Sequence, residues 1–128
     1  GVTQLDKNKK GVARRNEIAN IYKESFKGKI KFQSIKEGDL NAYHLFVIEV
    51  EDRKELYDFL KTKNIFTQIH YIPVHKLPYY KNIDYGDAYL INAENYYSKC
   101  LSLPMFPTLT NEEQKWVINA VFEFLKGY

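Results

Sequence analysis

Residues 42–50 constrain the fold of this chain more than any other segment, because most of their side chains are apolar and favour strands. Successive side chains of a strand point to opposite faces of a sheet. As a strand, this segment is apolar on both faces, with Tyr43, Leu45 and Val47 on one and Phe46 and Ile48 on the other. Such a strand needs cover on both sides. The segment therefore predicts a central strand under helices.

The first 27 residues predict one long amphipathic helix. Its apolar stripe repeats every seven residues and thickens in the second half, through Leu5, Val12, Ala19 and Phe26, with Ile18, Ile21 and Tyr22. Gly28 ends the helix, because glycine readily adopts the left-handed conformation that follows many helices. Gly11 and the lysine-rich residues 7–10 weaken the first half of the helix. This half is expected to fray unless it packs against a partner outside this chain.

The rest of the chain alternates between strand and helix patterns. Strands are predicted at residues 29–33, 65–71 and 101–103, and helices begin at residues 52, 88 and 110. Leu90 and Trp116 are predicted on buried helical faces. Two of the helix starts have capping-box spacing, Asp52 with Glu55 and Thr110 with Glu113. This order predicts an α/β fold, an α+β small domain with a small sheet of three or four strands covered by helices.

Two prolines separate the predicted strand at residues 65–71 from the helices that follow it. Pro73 and Pro78 cannot donate to a sheet ladder, so residues 74–87 are predicted to be irregular. This stretch is rich in aromatic side chains, namely Tyr79, Tyr80 and Tyr85. The Tyr79–Tyr80 pair has the character of a base-stacking platform, but the simpler prediction is that it packs the loop onto the sheet.

Composition excludes several classes of protein. A chain of 128 residues that is 45% hydrophobic suits one packed domain and is too apolar for a disordered tail. Its single cysteine allows no internal disulfide, and no apolar run is long enough to span a membrane. The net charge of +3 is that of an ordinary surface. We expect a cytoplasmic protein with no nucleic-acid or membrane partner.

The strongest candidate site lies at residues 68–75, where a predicted strand runs into a loop. His70 and Tyr71 offer directional hydrogen-bonding groups to a phosphate or a sugar hydroxyl. The alternative is that His70 only satisfies a backbone carbonyl beside a proline turn. A metal site at His70 and His75 is disfavoured, because their spacing matches no helical zinc pattern and Cys100 is the only thiol.

Other reactive residues have simpler explanations. Cys100 ends an apolar helical face, which predicts a buried, inert thiol. The basic residues from Lys7 to Arg15 predict a solvated helix face. The sequence has no glycine-rich phosphate loop and no serine-nucleophile motif. The residues taken alone therefore give no self-contained catalytic set.

Several segments together match the order and spacing of one enzyme family. They are residues 42–48, Asp52-Arg53, Asn64-Ile-Phe-Thr-Gln-Ile-His-Tyr-Ile-Pro-Val-His75, Pro78-Tyr-Tyr80, Ala93-Glu94, Leu101-Ser-Leu-Pro104 and the helix start at 110–118. This set resembles the C-terminal third of the DegT/DnrJ/EryC1/StrS sugar aminotransferases. The His-Tyr-Ile-Pro-Val-His wording is most similar to the PseC-like enzymes, which aminate a UDP-linked 4-keto sugar on the way to pseudaminic acid.

The resemblance implies a pyridoxal phosphate cofactor, a homodimer of fold type I, and glutamate as the amino donor to a UDP-sugar. It implies that a lysine of a large domain holds the cofactor. No lysine of this chain matches that motif, so no catalytic or cofactor-binding residue is assigned. No metal ligand is assigned either, because of the histidine spacing described above. The substrate loop does carry over. His70, Tyr71, Ile72 and Pro73 are implied to contact the nucleotide sugar, with His75 as a further candidate.

On this interpretation, residues 1–27 are a connector helix from a missing large domain, and residues 28–128 are the C-terminal small domain of the enzyme. The chain alone would supply the substrate loop and be inactive. Two alternatives remain open. One is a non-catalytic module that binds a nucleotide or a peptide through the same loop, and the other is a structural interaction domain with a tyrosine-rich face.

The first half of the N-terminal helix is expected to fray or to self-associate in the isolated chain, because the stripe at Leu5 and Val12 lacks cover. Hydrogen exchange on a monomeric sample should find the amides before Gly11 exchanging much faster than those near Tyr22. Self-association would instead appear as concentration-dependent protection of the same amides. A monomer whose first helical turn is fully protected would contradict this prediction.

Overall fold

The computed structural model of the protein describes residues 1–83 and 90–127. In chain order its elements are α1 (Val2–Phe26), β1 (Lys31–Phe32), β2 (Phe46–Glu49), α2 (Arg53–Thr62), a 3-10 turn (Val74–Lys76), α3 (Pro78–Lys81), α4 (Ile91–Lys99), β3 (Cys100–Leu103) and α5 (Asn111–Leu125). Tyr85 lies outside the described residues. Within the described ranges, no helix combines the length and apolar character needed to cross a bilayer.

The strands form one antiparallel sheet in the order β1–β2–β3, so β2 is central, as predicted. Phe46 and Ile48 of β2 are buried, whereas Val47 on the other face is half-buried. Each residue of β3 pairs with a residue of β2. The predicted fold class and strand number are confirmed, but the second face of β2 is less covered than its composition suggested.

Residues 65–71, predicted to be a strand, do not form one. Ile65 and Thr67 are buried and Phe66 is exposed, which is the alternation of an extended chain. Only Gln68 pairs, in an isolated antiparallel bridge to Ser102 of β3. The prediction was wrong because alternation indicates an extended backbone, but it does not reveal whether a partner strand runs beside it.

Tyr22 of α1 joins three parts of the core. Its ring centroid lies 5.8 Å from that of Phe26 and 4.9 Å from that of Phe46 in β2. Its hydroxyl donates to the carbonyl oxygen of Pro104 at 2.9 Å, and burial raises the pKa of this phenol. These contacts fix α1 to the sheet and to the segment after β3. The surrounding core includes Ile18, Ile48, Leu56, Leu60, Leu101 and Val121.

Three apolar side chains predicted to be buried are exposed. Ile21 lies outside the buried face of α1, which is formed by Ile18, Ala19, Tyr22 and Phe26. Leu90 is exposed, and no residue of α4 is fully buried. Trp116 of α5 is 54% exposed, while Gln114 is buried and donates its amide N–H to the carbonyl of Ile18 at 2.8 Å. A polar side chain with a buried partner leaves no trace in an apolar periodicity.

The two ends of α1 differ in their surroundings. Residues 1–10, including Leu5, are exposed. The basic residues from Lys7 to Arg15 were predicted to form a solvated face, but Arg14 is engaged within the fold. It donates to the carbonyl of Leu109 at 2.8 Å and to the side chain of Asn111 at 2.9 Å. At the other end, Gly28 follows the helix with a φ of +71°, which confirms its predicted role.

The two predicted capping boxes have different outcomes. At α5, the Glu113 N–H donates to Thr110 Oγ1 at 3.1 Å and the Thr110 N–H donates to the Glu113 carboxylate at 2.8 Å. At α2, the side chain of Asp52 makes no capping hydrogen bond. Thr110 is extended, with ψ of 159°, whereas Asp52 has ψ of 51°. Because a capping residue needs an extended backbone to reach the first turn, the prediction at Asp52 was wrong.

Alanine substitutions at these two N-caps should therefore have different effects on stability. We expect Thr110→Ala to lower the free energy of unfolding by about 1 kcal/mol, because it removes a side-chain acceptor from a helix N–H. Asp52→Ala should change it by no more than about 0.5 kcal/mol. Urea denaturation of both variants checks this, and an equal loss in the two would contradict the assigned caps.

Candidate functional site

A groove of about 800 Å³ opens between the segment after α2, the end of β3 and the N-terminal part of α5. Apolar side chains make up most of its wall, among them Phe66, Phe106 and Trp116. Gln68, His70 and Ser102 add polar groups to the same wall. A concave, mainly apolar surface with a few polar groups is typical of small-molecule sites. This groove is the first candidate for ligand contact.

The charge of the groove limits what it can hold by itself. Among the described residues, no lysine or arginine lines it, whereas Glu112 and Glu113 do. The Glu113 carboxylate is already engaged in the cap of α5. A phosphate group would therefore meet carboxylates and no lysine or arginine in the described wall, which is unfavourable. The groove suits an uncharged group, and a charged ligand would need cations from elsewhere.

His70 is the one predicted substrate residue that lines the groove. Its ring is half-buried, and Nδ1 is hydrogen-bonded to Ser102 Oγ of β3 at 2.9 Å. Its backbone carbonyl accepts from the Cys100 thiol at 3.5 Å. The partner of the ring is thus a hydroxyl and not the backbone carbonyl considered from sequence. Nε2 of His70 is the ring nitrogen left for a further partner.

Tyr71, Ile72 and Pro73 lie beside the groove and not in its wall. Tyr71 is 69% exposed and Ile72 is 52% exposed, while Pro73 is half-buried. The rings of His70 and Tyr71 lie 4.6 Å apart, and the peptide bond between these residues is cis. The structure therefore brings the four predicted residues together as a surface loop with only its first member in the groove.

His75, the further candidate, is turned inwards. Its side chain is 9% exposed, and Nε2 lies 3.0 Å from Glu94 Oε1 of α4. The other oxygen of Glu94 binds Lys76 Nζ at 2.8 Å. The hydrogen bonds from Lys76 and then His75 lower the pKa of the Glu94 carboxyl. His75 is thus an internal contact of the loop, and its partner Glu94 was not identified from the residues as a site residue.

Cys100 is buried, as predicted, but it lies at the start of β3 and not on a helical face. Its thiol donates to the carbonyls of His70 and Tyr97 at 3.5 and 3.6 Å. Burial raises its pKa, although the nearby Arg53 opposes this shift. A protonated thiol that is bonded to carbonyl oxygens is a poor nucleophile. In the described part of the chain, no three His, Cys, Asp or Glu side chains are grouped so that they could hold a metal ion.

The tyrosine pair at the start of α3 was predicted to pack the loop onto the sheet, but the structure leaves both side chains exposed. Tyr79 is 69% exposed, and Tyr80 is also exposed. Their rings lie 5.2 Å apart and nearly perpendicular. The pair is therefore a surface feature that follows the 70–76 loop in sequence, and its two rings contact each other.

Comparison with known proteins gives a consistent result along the chain. The sequence pattern of the DegT/DnrJ/EryC1/StrS aminotransferase family matches residues 1–122. The spore coat polysaccharide biosynthesis protein SpsC of Bacillus subtilis is 37% identical over 99% of this chain and 35% of its own length. A Campylobacter jejuni protein, named UDP-4-amino-4,6-dideoxy-N-acetyl-beta-L-altrosamine transaminase, is 32% identical over the whole chain and 37% of its own length.

A solved structure is similar over the same region. The crystal structure of S. venezuelae DesV superposes with a TM-score of 0.88 at 30% identity, over 99% of this chain and 34% of DesV. The chain thus spans about a third of the length of the curated relatives that it matches, at 35% and 37% of theirs.

The assigned surroundings of Cys100 predict slow thiol chemistry. In the native chain at pH 8, Cys100 should react with a disulfide reagent at least about 100-fold more slowly than in the denatured chain, because its thiol is buried and protonated. Absorbance of the released thiolate measures both rates. Reaction at the denatured rate under native conditions would contradict this assignment.

Proposed function

Because this chain belongs to the DegT/DnrJ/EryC1/StrS aminotransferase family, we propose that it is the C-terminal small domain of an enzyme that transfers an amino group to a nucleotide-linked sugar. Residues 1–27 are the connector helix from a large domain, and residues 28–128 are the small domain. The observation that carries the proposal is the family match over residues 1–122, in a chain that has about a third of its relatives' length.

Pyridoxal phosphate is the cofactor of the whole enzyme, and as an electron sink it supplies the chemistry of amino transfer. The residues of this chain do not fit that cofactor by themselves. In the part of the chain that the structure describes, the groove has neither a lysine for a Schiff base nor an arginine for the cofactor's phosphate. In this proposal the chain alone is inactive, and its contribution to the whole enzyme is substrate binding.

The substrate is a UDP-linked 4-keto sugar and the amino donor is glutamate, as in pseudaminic acid biosynthesis. Support for the UDP-sugar comes from the relative named as a UDP-amino-sugar transaminase, which is 32% identical to this chain. The cation-free groove is compatible with such a ligand if the diphosphate is bound by other parts of the enzyme. The groove and the neighbouring loop then contact its uncharged groups.

Residues 70–73 are the substrate loop in this proposal. The exposed Tyr71 carries a hydroxyl that can donate to or accept from a sugar hydroxyl. Ile72 can offer its backbone N–H, whereas Pro73 has none and stiffens the turn. His70, held by Ser102 at 2.9 Å, places its ring at the junction of the loop and the groove. These groups bind and orient the substrate, and none is assigned a proton-transfer role.

The whole enzyme is a homodimer of fold type I in the cytoplasm. The homodimer extends the family resemblance to the complete protein, and the cytoplasmic location extends the expectation drawn from composition. Apolar side chains that are exposed in this chain, such as Phe66 and Ile72, are compatible with further protein surface covering this region.

Replacing residues 70–73 in the complete enzyme by an unrelated turn of equal length tests the substrate loop. We expect kcat/KM for the UDP-keto sugar to fall about 100-fold or more, because substrate groups lose their positioning contacts. Conversion of glutamate to 2-oxoglutarate by the same variant, without sugar, should be unchanged. A matched replacement of the exposed residues 36–39 is the control and should leave both activities intact.

Normal amino transfer by the loop-replaced enzyme would contradict the proposal. A different result would favour the non-catalytic binding module: tight binding of UDP by the isolated chain. Trp116 lines the groove and is the only tryptophan in the sequence, so its fluorescence reports such binding. The proposed function predicts weak or no binding of UDP by the chain alone.

A further inference from the structure

The substrate loop is fixed at its N-terminal end by β3. Gln68 and Ser102 exchange two backbone hydrogen bonds, of 3.2 and 2.8 Å. The Ser102 hydroxyl also holds the His70 ring at 2.9 Å, and the Cys100 thiol donates to the His70 carbonyl. Two buried residues of one strand therefore hold the position where the loop begins.

The residues that directly follow the substrate loop, His75 and Lys76, are held by a single carboxylate of α4. Glu94 Oε1 lies 3.0 Å from His75 Nε2, and Glu94 Oε2 lies 2.8 Å from Lys76 Nζ. The Lys76 N–H donates to the carbonyl of Pro73 at 2.8 Å, and the Leu77 N–H donates to the carbonyl of Val74 at 3.0 Å. These two hydrogen bonds close the 3-10 turn that carries His75 and Lys76. Both carboxylate oxygens are thus used on adjacent residues of one turn.

The two anchors belong to one continuous piece of the fold. Helix α4 ends at Lys99 and β3 begins at Cys100, so Glu94 and Ser102 are joined without a loop. Arg53 of α2 donates to the carbonyl of Tyr97 and its guanidinium lies 5.1 Å from the centre of the Tyr97 ring. This contact attaches α4 to α2. The anchors therefore keep a fixed separation while the sheet is intact.

Between the anchors, the loop exposes side chains that have no role in the core. Tyr71, Ile72 and Val74 are all more than half exposed. Side chains on a loop whose ends are fixed have less conformational entropy left to lose when a ligand binds. A loop fixed at both ends therefore presents a pre-ordered surface to its ligand.

We propose that Glu94 is a positioning residue for substrate binding, which sets the place of residues 71–74 by holding His75 and Lys76. This inference rests on the proposed function of the loop. Glu94 itself does not contact the substrate. Its removal leaves the buried His75 ring without its acidic partner, so the C-terminal end of the loop is released while His70 stays on Ser102.

Hydrogen exchange on the 128-residue chain tests the anchor without reference to any activity. In Glu94→Gln, the amides of Lys76 and Leu77 should exchange at least about fivefold faster, the size of effect expected for a partly exposed ion pair. Amides in the middle of α5 should be unchanged. Glu24→Gln on α1 removes the same charge from an exposed position and serves as the matched control. Unchanged exchange at Lys76 and Leu77 would overturn the anchor.

Kinetics of the complete enzyme test the positioning role. Glu94→Gln should raise KM for the UDP-keto sugar about fivefold or more, with the glutamate half of the reaction unchanged, and Glu94→Asp should recover part of the loss because it keeps the charge. A merely structural defect would lower the rates of the glutamate and nucleotide-sugar half-reactions together, and that result would overturn the proposal. So would an unchanged KM in a variant whose Lys76 and Leu77 amides exchange faster. If the complete enzyme does not aminate nucleotide sugars, the proposed function fails, while the exchange result still decides the anchor.

Discussion

The antiparallel ladder between β2 and β3 is the contact on which the remainder of this structure depends. All residues of β3 are buried and each pairs with β2. The ladder fixes Ser102, which holds both Gln68 and His70, and it fixes the start of the segment where Pro104 accepts from Tyr22. One short strand therefore determines where the groove, the proposed substrate loop and the long first helix lie relative to one another.

The groove and the loop provide shape and few charges. The described wall of the groove contains aromatic side chains, two histidines and two glutamates, but no lysine or arginine. A domain of this composition can select the uncharged groups of a ligand, whereas a diphosphate or a cofactor phosphate needs cations. In the proposed enzyme, the small domain and the rest of the polypeptide therefore have different roles in substrate binding and catalysis. The small domain orients the sugar nucleotide, and the rest of the polypeptide supplies the reactive and charged groups.

Local sequence signals succeeded where one segment carried the whole signal. The β2 segment is central, Thr110 caps α5, and Gly28 has the positive φ that ends α1. They failed where the outcome depended on a neighbour. Residues 65–71 alternate like a strand but find one pairing position, and Asp52 has a capping spacing on a backbone that cannot use it.

The sequence by itself determined the class of the fold, the positions of most helices and the family. Each of these depends on patterns of residues that are close together along the chain. Only the tertiary structure decided how the proposed substrate loop is held. His70 lies 32 residues from Ser102, and His75 lies 19 residues from Glu94. A polar pair of this kind leaves no periodicity in the sequence, since its stability depends on the distance between two side chains that the folded sheet and helix bring together.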